Sequence, residues 1–137
     1  MLKQTLLALS ICAVASLSIP QPAHAQISEF KITADDGAAS DFFGESASIS
    51  GDYAIVGAIA DDDGGTNSGS AYIFKRSGTS WAQEVKLLPL KLDGTSDGAE
   101  GDEFGYSVSI SGDYTIVGAR FDMENIEYAA IGGMNHA

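Results

Sequence analysis

The chain has 137 residues, 7 of them basic and 19 acidic, for a formal net charge of −12, and a single cysteine. That acidity leaves no basic patch to meet phosphate, which excludes nucleic acid as a partner. Cys12 lies in the N-terminal apolar run, so no disulfide can staple the remainder.

Lys3 precedes an apolar run from Leu6 to Ala15; Pro20 and Pro22 then break the segment, and Ala23-His24-Ala25 closes it. This is the order of charge, apolar stretch and small-residue cleavage site found in a secretory leader, assigned to residues 1–25. The run is too short and too interrupted by Ser16 and Ser18 for a membrane span, and none is expected after cleavage. Ile11 before Cys12 is not the small residue that a lipid-anchoring signal needs. The product is therefore expected outside the cytoplasm: secreted, periplasmic or on the cell surface. Lys3 leaves with the leader, so the mature surface is more acidic still.

In the mature chain, Phe30 and Ile32 alternate with Glu29 and Lys31, which predicts a half-buried strand over 27–34. Asp35 to Asp41 reads as a loop. Ser46 to Ser50 predicts a strand with Ala47 and Ile49 on one face and three serines on the other, suited either to solvent or to a tightly packed second sheet. A turn at Gly51-Asp52 leads into Tyr53 to Ala58, apolar without alternation and therefore buried on both faces. An Asp/Gly-rich loop over 61–69 precedes a largely apolar strand, Ser70 to Phe74. After a turn at 75–80, Trp81 to Leu88 predicts a fourth strand, the most polar of the set through Gln83, Glu84 and Lys86.

Asp41 to Ala58 returns 61 residues later as Asp102 to Ala119, with 14 of 18 positions identical. A long repeat of this kind marks an array of supersecondary units that bury their apolar faces by stacking on one another. Four short strands per period, with polarity rising at the last, describe a four-stranded antiparallel β-propeller blade. A β-sandwich also has short strands at regular spacing, but the long identical period favours the propeller. The fold class is thus all-β, an incomplete propeller of about one and a half repeats. It comprises a blade over 36–92, a partial blade over 97–122, an orphan outer strand over 27–34 and a divergent tail over 123–137. A ring needs ~4–8 blades, so other propeller repeats are required to close one.

Phe43-Gly44 with Val56-Gly57-Ala58, and Phe104-Gly105 with Val117-Gly118-Ala119, resemble the FG-GAP repeat of integrin α-subunit propellers and of many bacterial secreted and surface proteins. The likeness spans roughly residues 27–122, although Ile59 and Arg120 stand where the motif has Pro. It implies a non-catalytic binding or adhesion module. The alternative is the accessory propeller of a larger extracellular hydrolase, of which this chain would be a remnant. Integrin-like repeats carry a calcium loop between the FG and GAP strands; here only Ser50 to Tyr53, and Ser111 to Tyr114, occupy that place. Calcium takes ~6–8 oxygen ligands, which so short a turn cannot supply. A different cluster gives Asp61, Asp63 and Asn67 as candidate Ca²⁺ ligands, since Asp61 and Asp63 have the spacing of the first two ligands of an EF-hand loop. Gly65 replaces the third ligand, and the competing reading is a Gly/Asp-rich turn. In a meander the 61–69 loop and the inter-blade loops at 35–41 and 91–103 emerge at one end. This predicts a strongly acidic face that could take a divalent cation, a protein or a glycan.

Beyond Ala119, only Asp122 follows the repeat, and residues 123–137 lose its register. This reads as a truncated or frameshifted repeat, against the rival of a divergent cap. No enzyme is expected. His24 lies in the leader and His136 in the tail, so no Cys/His or Ser/His/Asp site can be assembled. Trp81 and the tyrosines fall at strand spacing and read as packing residues.

Overall fold

The computed structural model describes residues 29–90, 95, 98–121 and the backbone of 129–132. The leader, the loop aspartates Asp93 and Asp97, and Asp122 lie outside the described residues. β1 (Phe43–Ser50), β2 (Tyr53–Ala58), β3 (Ser70–Ser77) and β4 (Ser80–Leu87) form one antiparallel sheet in chain order. β5 (Phe104–Ser111), β6 (Tyr114–Ala119) and β7 (Ala129–Gly132) form a second. Two-residue turns at Gly51-Asp52, Gly78-Thr79 and Gly112-Asp113 set the registers Ser50 to Tyr53, Ser77 to Ser80 and Ser111 to Tyr114. All-β architecture with antiparallel meanders is what the sequence predicts, and the sheets are incomplete propeller blades.

β2 explains why one strand can be apolar throughout. Tyr53 and Ile55 join Ala71, Ile73, Leu87, Phe104, Ile110 and Val117 in a core between the two sheets. The alternate residues Ala54, Val56 and Ala58 join Tyr72 and Phe74 in a second core on the opposite face. Each large side chain so buried contributes about 1.5–3 kcal/mol. β4 is the wet strand, with Glu84 and Val85 exposed.

The serines of β1 face protein. Ser46 Oγ donates to the Gly105 carbonyl at 2.6 Å, while Ser48 Oγ and Ser50 Oγ accept from the Ile110 and Gly112 N–H groups at 3.3 and 3.2 Å. They satisfy the outer edge of β5, whose other edge pairs with β6. Ala47 and Ile49 point the other way and are exposed.

Two expectations need correction. Of the strand predicted over 27–34, residues 29–34 make no ladder, and 27–28 lie outside the described residues. Instead Ile32 and Ala34 pack on the open face of the first sheet, beside Tyr72 and Phe74. Face packing satisfies their apolar side chains without requiring a strand edge. The boundary at 122 is also too early, because β7 pairs with β6 from Val117–Ala129 to Tyr114–Gly132. Main-chain hydrogen bonds need no side-chain identity, so residues out of register with the repeat still take the third-strand position.

Candidate functional site

The acidic loops converge as meander geometry requires. Lys86, on β4 opposite Tyr72 of β3, sends its ammonium into the loop that follows β2. Nζ donates to Asp36 Oδ2 at 2.8 Å, Asp61 Oδ2 at 2.8 Å and Asp63 Oδ2 at 2.6 Å. All three ammonium protons are thus taken by carboxylates. The Tyr72 hydroxyl donates to Asp61 Oδ2 at 2.7 Å, and Nζ lies 5.2 Å from the centre of that ring. Asp61 Oδ1 accepts from the Asp63 N–H at 3.0 Å. Asp61 is only 3% exposed, and the Lys86 side chain only 14%.

This geometry shifts the titrations of the group. Burial pushes Asp61 up, but hydrogen bonds from Lys86, Tyr72 and the Asp63 backbone outweigh it and hold the carboxyl below its ordinary 3.8. The Lys86 hydrogen bond does the same for Asp36. Burial opposes the Lys86 charge, yet its three carboxylates raise it above the lysine range. Tyr72, driven first by burial, is pushed up to about 12. A carboxylate whose pKa is lower folded than unfolded contributes stability that is present above the unfolded value and lost as pH falls through the folded one. A phenol with a raised pKa contributes stability that is complete below its unfolded value and lost as pH rises through the folded one. Thermal melts should therefore show stability falling as pH drops below 3.8, and again between 10 and about 12. A flat profile across either window would show that the cluster is not formed.

Of the three candidate Ca²⁺ ligands, Asp61 and Asp63 meet on the Lys86 ammonium. The Asn67 N–H donates to Asp62 Oδ1 at 2.7 Å, closing a separate turn. The two carboxylates aim at an ammonium, and among the described residues no group of three or more acidic, His or Cys side chains is arranged for a metal. The residues as placed do not fit a calcium ion, because Lys86 already supplies the cation. Ca²⁺ should leave the wild-type melting temperature unchanged and raise that of Lys86→Met, which frees three carboxylates. A wild-type shift as large as the variant's would overturn this assignment.

In the sequence Lys86 is one polar residue among several on β4, which reads as a wet strand. The available signal was its pairing opposite Tyr72, a buried phenol that needs an acceptor. The repeated aspartates have a structural role: Asp41 Oδ2 accepts from the Ala38 N–H, and Asp102 Oδ2 from the Ala99 N–H, each at three residues' separation. They close the loops that lead into β1 and β5. The loop at 98–103 then docks on the β2–β3 loop, where the Gly101 and Phe104 N–H groups donate to the Thr66 and Ser68 carbonyls. Trp81 packs on the second core, with the Arg76 guanidinium 5.9 Å from its ring centre, so it is a packing residue.

The repeated motifs meet across the two sheets. A Cβ added to Gly57 would lie 2.0 Å from the Gly105 carbonyl oxygen, so only two glycines allow this approach. The register of each sheet shifts just here, between Phe43 and Ala47 and between Phe104 and Ser107. In the second sheet that irregularity accompanies Phe104 into the shared core.

Comparison with curated proteins and with solved structures gives no match. The profile of the FG-GAP repeat matches residues 28–74 and 81–130. FG-GAP repeats build propeller-type modules that are typically non-catalytic and typically found in extracellular or surface proteins. The two matches cover most of the chain, the first running through β1 and β2 into β3 and the second from β4 through β5 and β6, so the chain belongs to the FG-GAP repeat family.

Proposed function

We propose that this chain is an exported, non-catalytic binding or adhesion module whose acidic loop end takes a basic protein surface. The observation that carries the reading is the gathering of carboxylates at one end of the sheets. Asp36, Asp61 and Asp63 share a single ammonium there, leaving that cluster net negative. Asp35, Asp62 and Glu100, all exposed, add to the same end. Arg76 and Asp52 pair at the opposite end, by the β1–β2 turn. The leader sequence at 1–25 supports export, and the typically non-catalytic character of FG-GAP repeats supports a non-catalytic role. A neutral or acidic glycan gains nothing from such a field, whereas a basic segment is steered towards it.

Immobilised polylysine is a direct probe. The chain should bind it, with affinity falling steeply as ionic strength rises. The double variant Asp62→Asn/Glu100→Gln should bind several-fold more weakly, while a neutral glucan should not retain the protein. Equal binding by wild type and variant would place the contact elsewhere and reject this face.

A further inference from the structure

The interface between the two sheets has two unfinished copies of itself, one on each outer face. On the first sheet, Tyr53 is 6% exposed and Ile55 0%, both buried by the second sheet. Their counterparts 61 residues on, Tyr114 and Ile116, are 69% and 49% exposed. On the second sheet Ile110 is 6% exposed against the first; its counterpart Ile49 is 64% exposed. The glycine motif is split in the same way. Gly57 and Gly105 touch, whereas a Cβ on Gly44 would meet nothing within 4 Å, and the nearest atoms to one on Gly118 belong to Ser107 of its own sheet. One end of the molecule therefore carries the socket of an FG-GAP contact and the other end carries its plug.

The serines extend the match. Ser46, Ser48 and Ser50 bond the Gly105 carbonyl and the Ile110 and Gly112 N–H groups. Ser107, Ser109 and Ser111 are the same residues one repeat later, and all are exposed. Their targets by the same offset are the Gly44 carbonyl and the Ile49 and Gly51 N–H groups.

Strand number fits as well. The first sheet has four strands, and Leu87 of β4 belongs to the core between the sheets. The second sheet has three among the described residues. On the outer face of the first sheet, Ile32 packs on the second core as Leu87 packs on the first. Glu29-Phe30-Lys31-Ile32 also echoes Glu84-Val85-Lys86-Leu87. Residues 29–34 thus cover the ground of a fourth strand and leave the β1 side, with Ala47 and Ile49, open to a three-stranded sheet.

We propose that the chain associates with a second copy of itself head to tail, the Tyr114–Ile116 face of one copy seating on the Ile49 face of the next. The contact is heterologous, so it repeats until the rotation closes. With the two described sheets in each copy, a ring of ~4–8 blades corresponds to roughly two to four copies.

Sedimentation equilibrium of the purified chain tests this. The wild type should show a concentration-dependent mass above that of the monomer. Ile49→Glu and Ile116→Glu, each at an exposed position of the single chain, should each be folded by circular dichroism and monomeric. Tyr114→Lys is the second variant on its face should Ile116→Glu fold poorly. Mixed, the Ile49→Glu and Ile116→Glu proteins retain one intact plug and one intact socket between them, so they should form a heterodimer and nothing larger. A wild type that stays monomeric at its highest soluble concentration, association that survives both substitutions, or a mixture that stays monomeric would each overturn the proposal.

Discussion

Gly105→Ala is expected to uncouple the two sheets, at a cost of about 3 kcal/mol or more: about 1–2 for a side chain at positive φ and about 1–3 for overpacking. Gly105 sits at φ +92°, and its added Cβ would lie 2.3 Å from the Ser70 carbonyl oxygen and 3.2 Å from Gly57 Cα. Neither neighbour can swing aside, because Ser70 is paired with Ala58 and Gly57 with Ala71 in the β2–β3 ladder. Relief requires the second sheet to move off the first, which exposes Phe104, Ile110 and Val117 together. Small domains have only about 5–15 kcal/mol in total, so the variant should melt much earlier or in two steps. Gly112→Ala is the internal control. Gly112 also has a positive φ, +55°, but an added Cβ there meets nothing within 4 Å. That variant should lose only the backbone term, about 1 kcal/mol. Equal losses in denaturant melts of the two variants would show that the glycine-to-glycine contact between sheets is not what holds them together.

This contact also shows what could and could not be seen in the residues alone. The strands of the repeat were legible because turn glycines and apolar runs are local signals, and β2 announced two buried faces by having no polar residue at all. Burial across the repeat was not legible. Ile49 and Ile110 are the same residue in the same motif, yet one is exposed and the other is core. The difference lies in whether a neighbouring sheet is present, which no window of sequence contains. The serines of β1 were readable as facing either solvent or a second sheet, and only the edge of β5 decides between them. β7 escaped because main-chain pairing leaves no mark on sequence identity. The segment at 29–34 carried the pattern of a strand but found a face before it found an edge. At the acidic end, the clustering of aspartates was legible and its purpose was not. Spacing suggested metal ligands, whereas the ammonium they hold comes from a strand 25 residues away from Asp61.

The second large effect concerns that ammonium, and its sign is the informative part. Lys86→Met keeps most of the side-chain volume but leaves Asp61 buried without a counter-charge. Breaking one partner of a buried pair typically costs about 3–5 kcal/mol. In the wild type, the hydrogen bonds of Lys86 and Tyr72 hold Asp61 below 3.8 against its own burial. With the lysine removed, burial is the largest influence left, and the carboxyl should rise above its unfolded value. The linkage then reverses. A group with a raised folded pKa contributes stability that is complete below its unfolded pKa and lost as pH rises through the folded one. Between pH 7 and pH 4 the variant should therefore gain stability on acidification, over a range where the wild-type cluster gains none. Asp61→Asn combined with Lys86→Met removes the buried charge altogether. Tyr72 still has an amide oxygen to accept its hydrogen bond, at the 2.7 Å position now held by Asp61. The double variant should thus recover a large part of the loss and show no reversed pH dependence. If Lys86→Met instead follows the wild-type pH profile with a constant offset, Asp61 is solvated, and the ion cluster is a surface feature of little energetic weight.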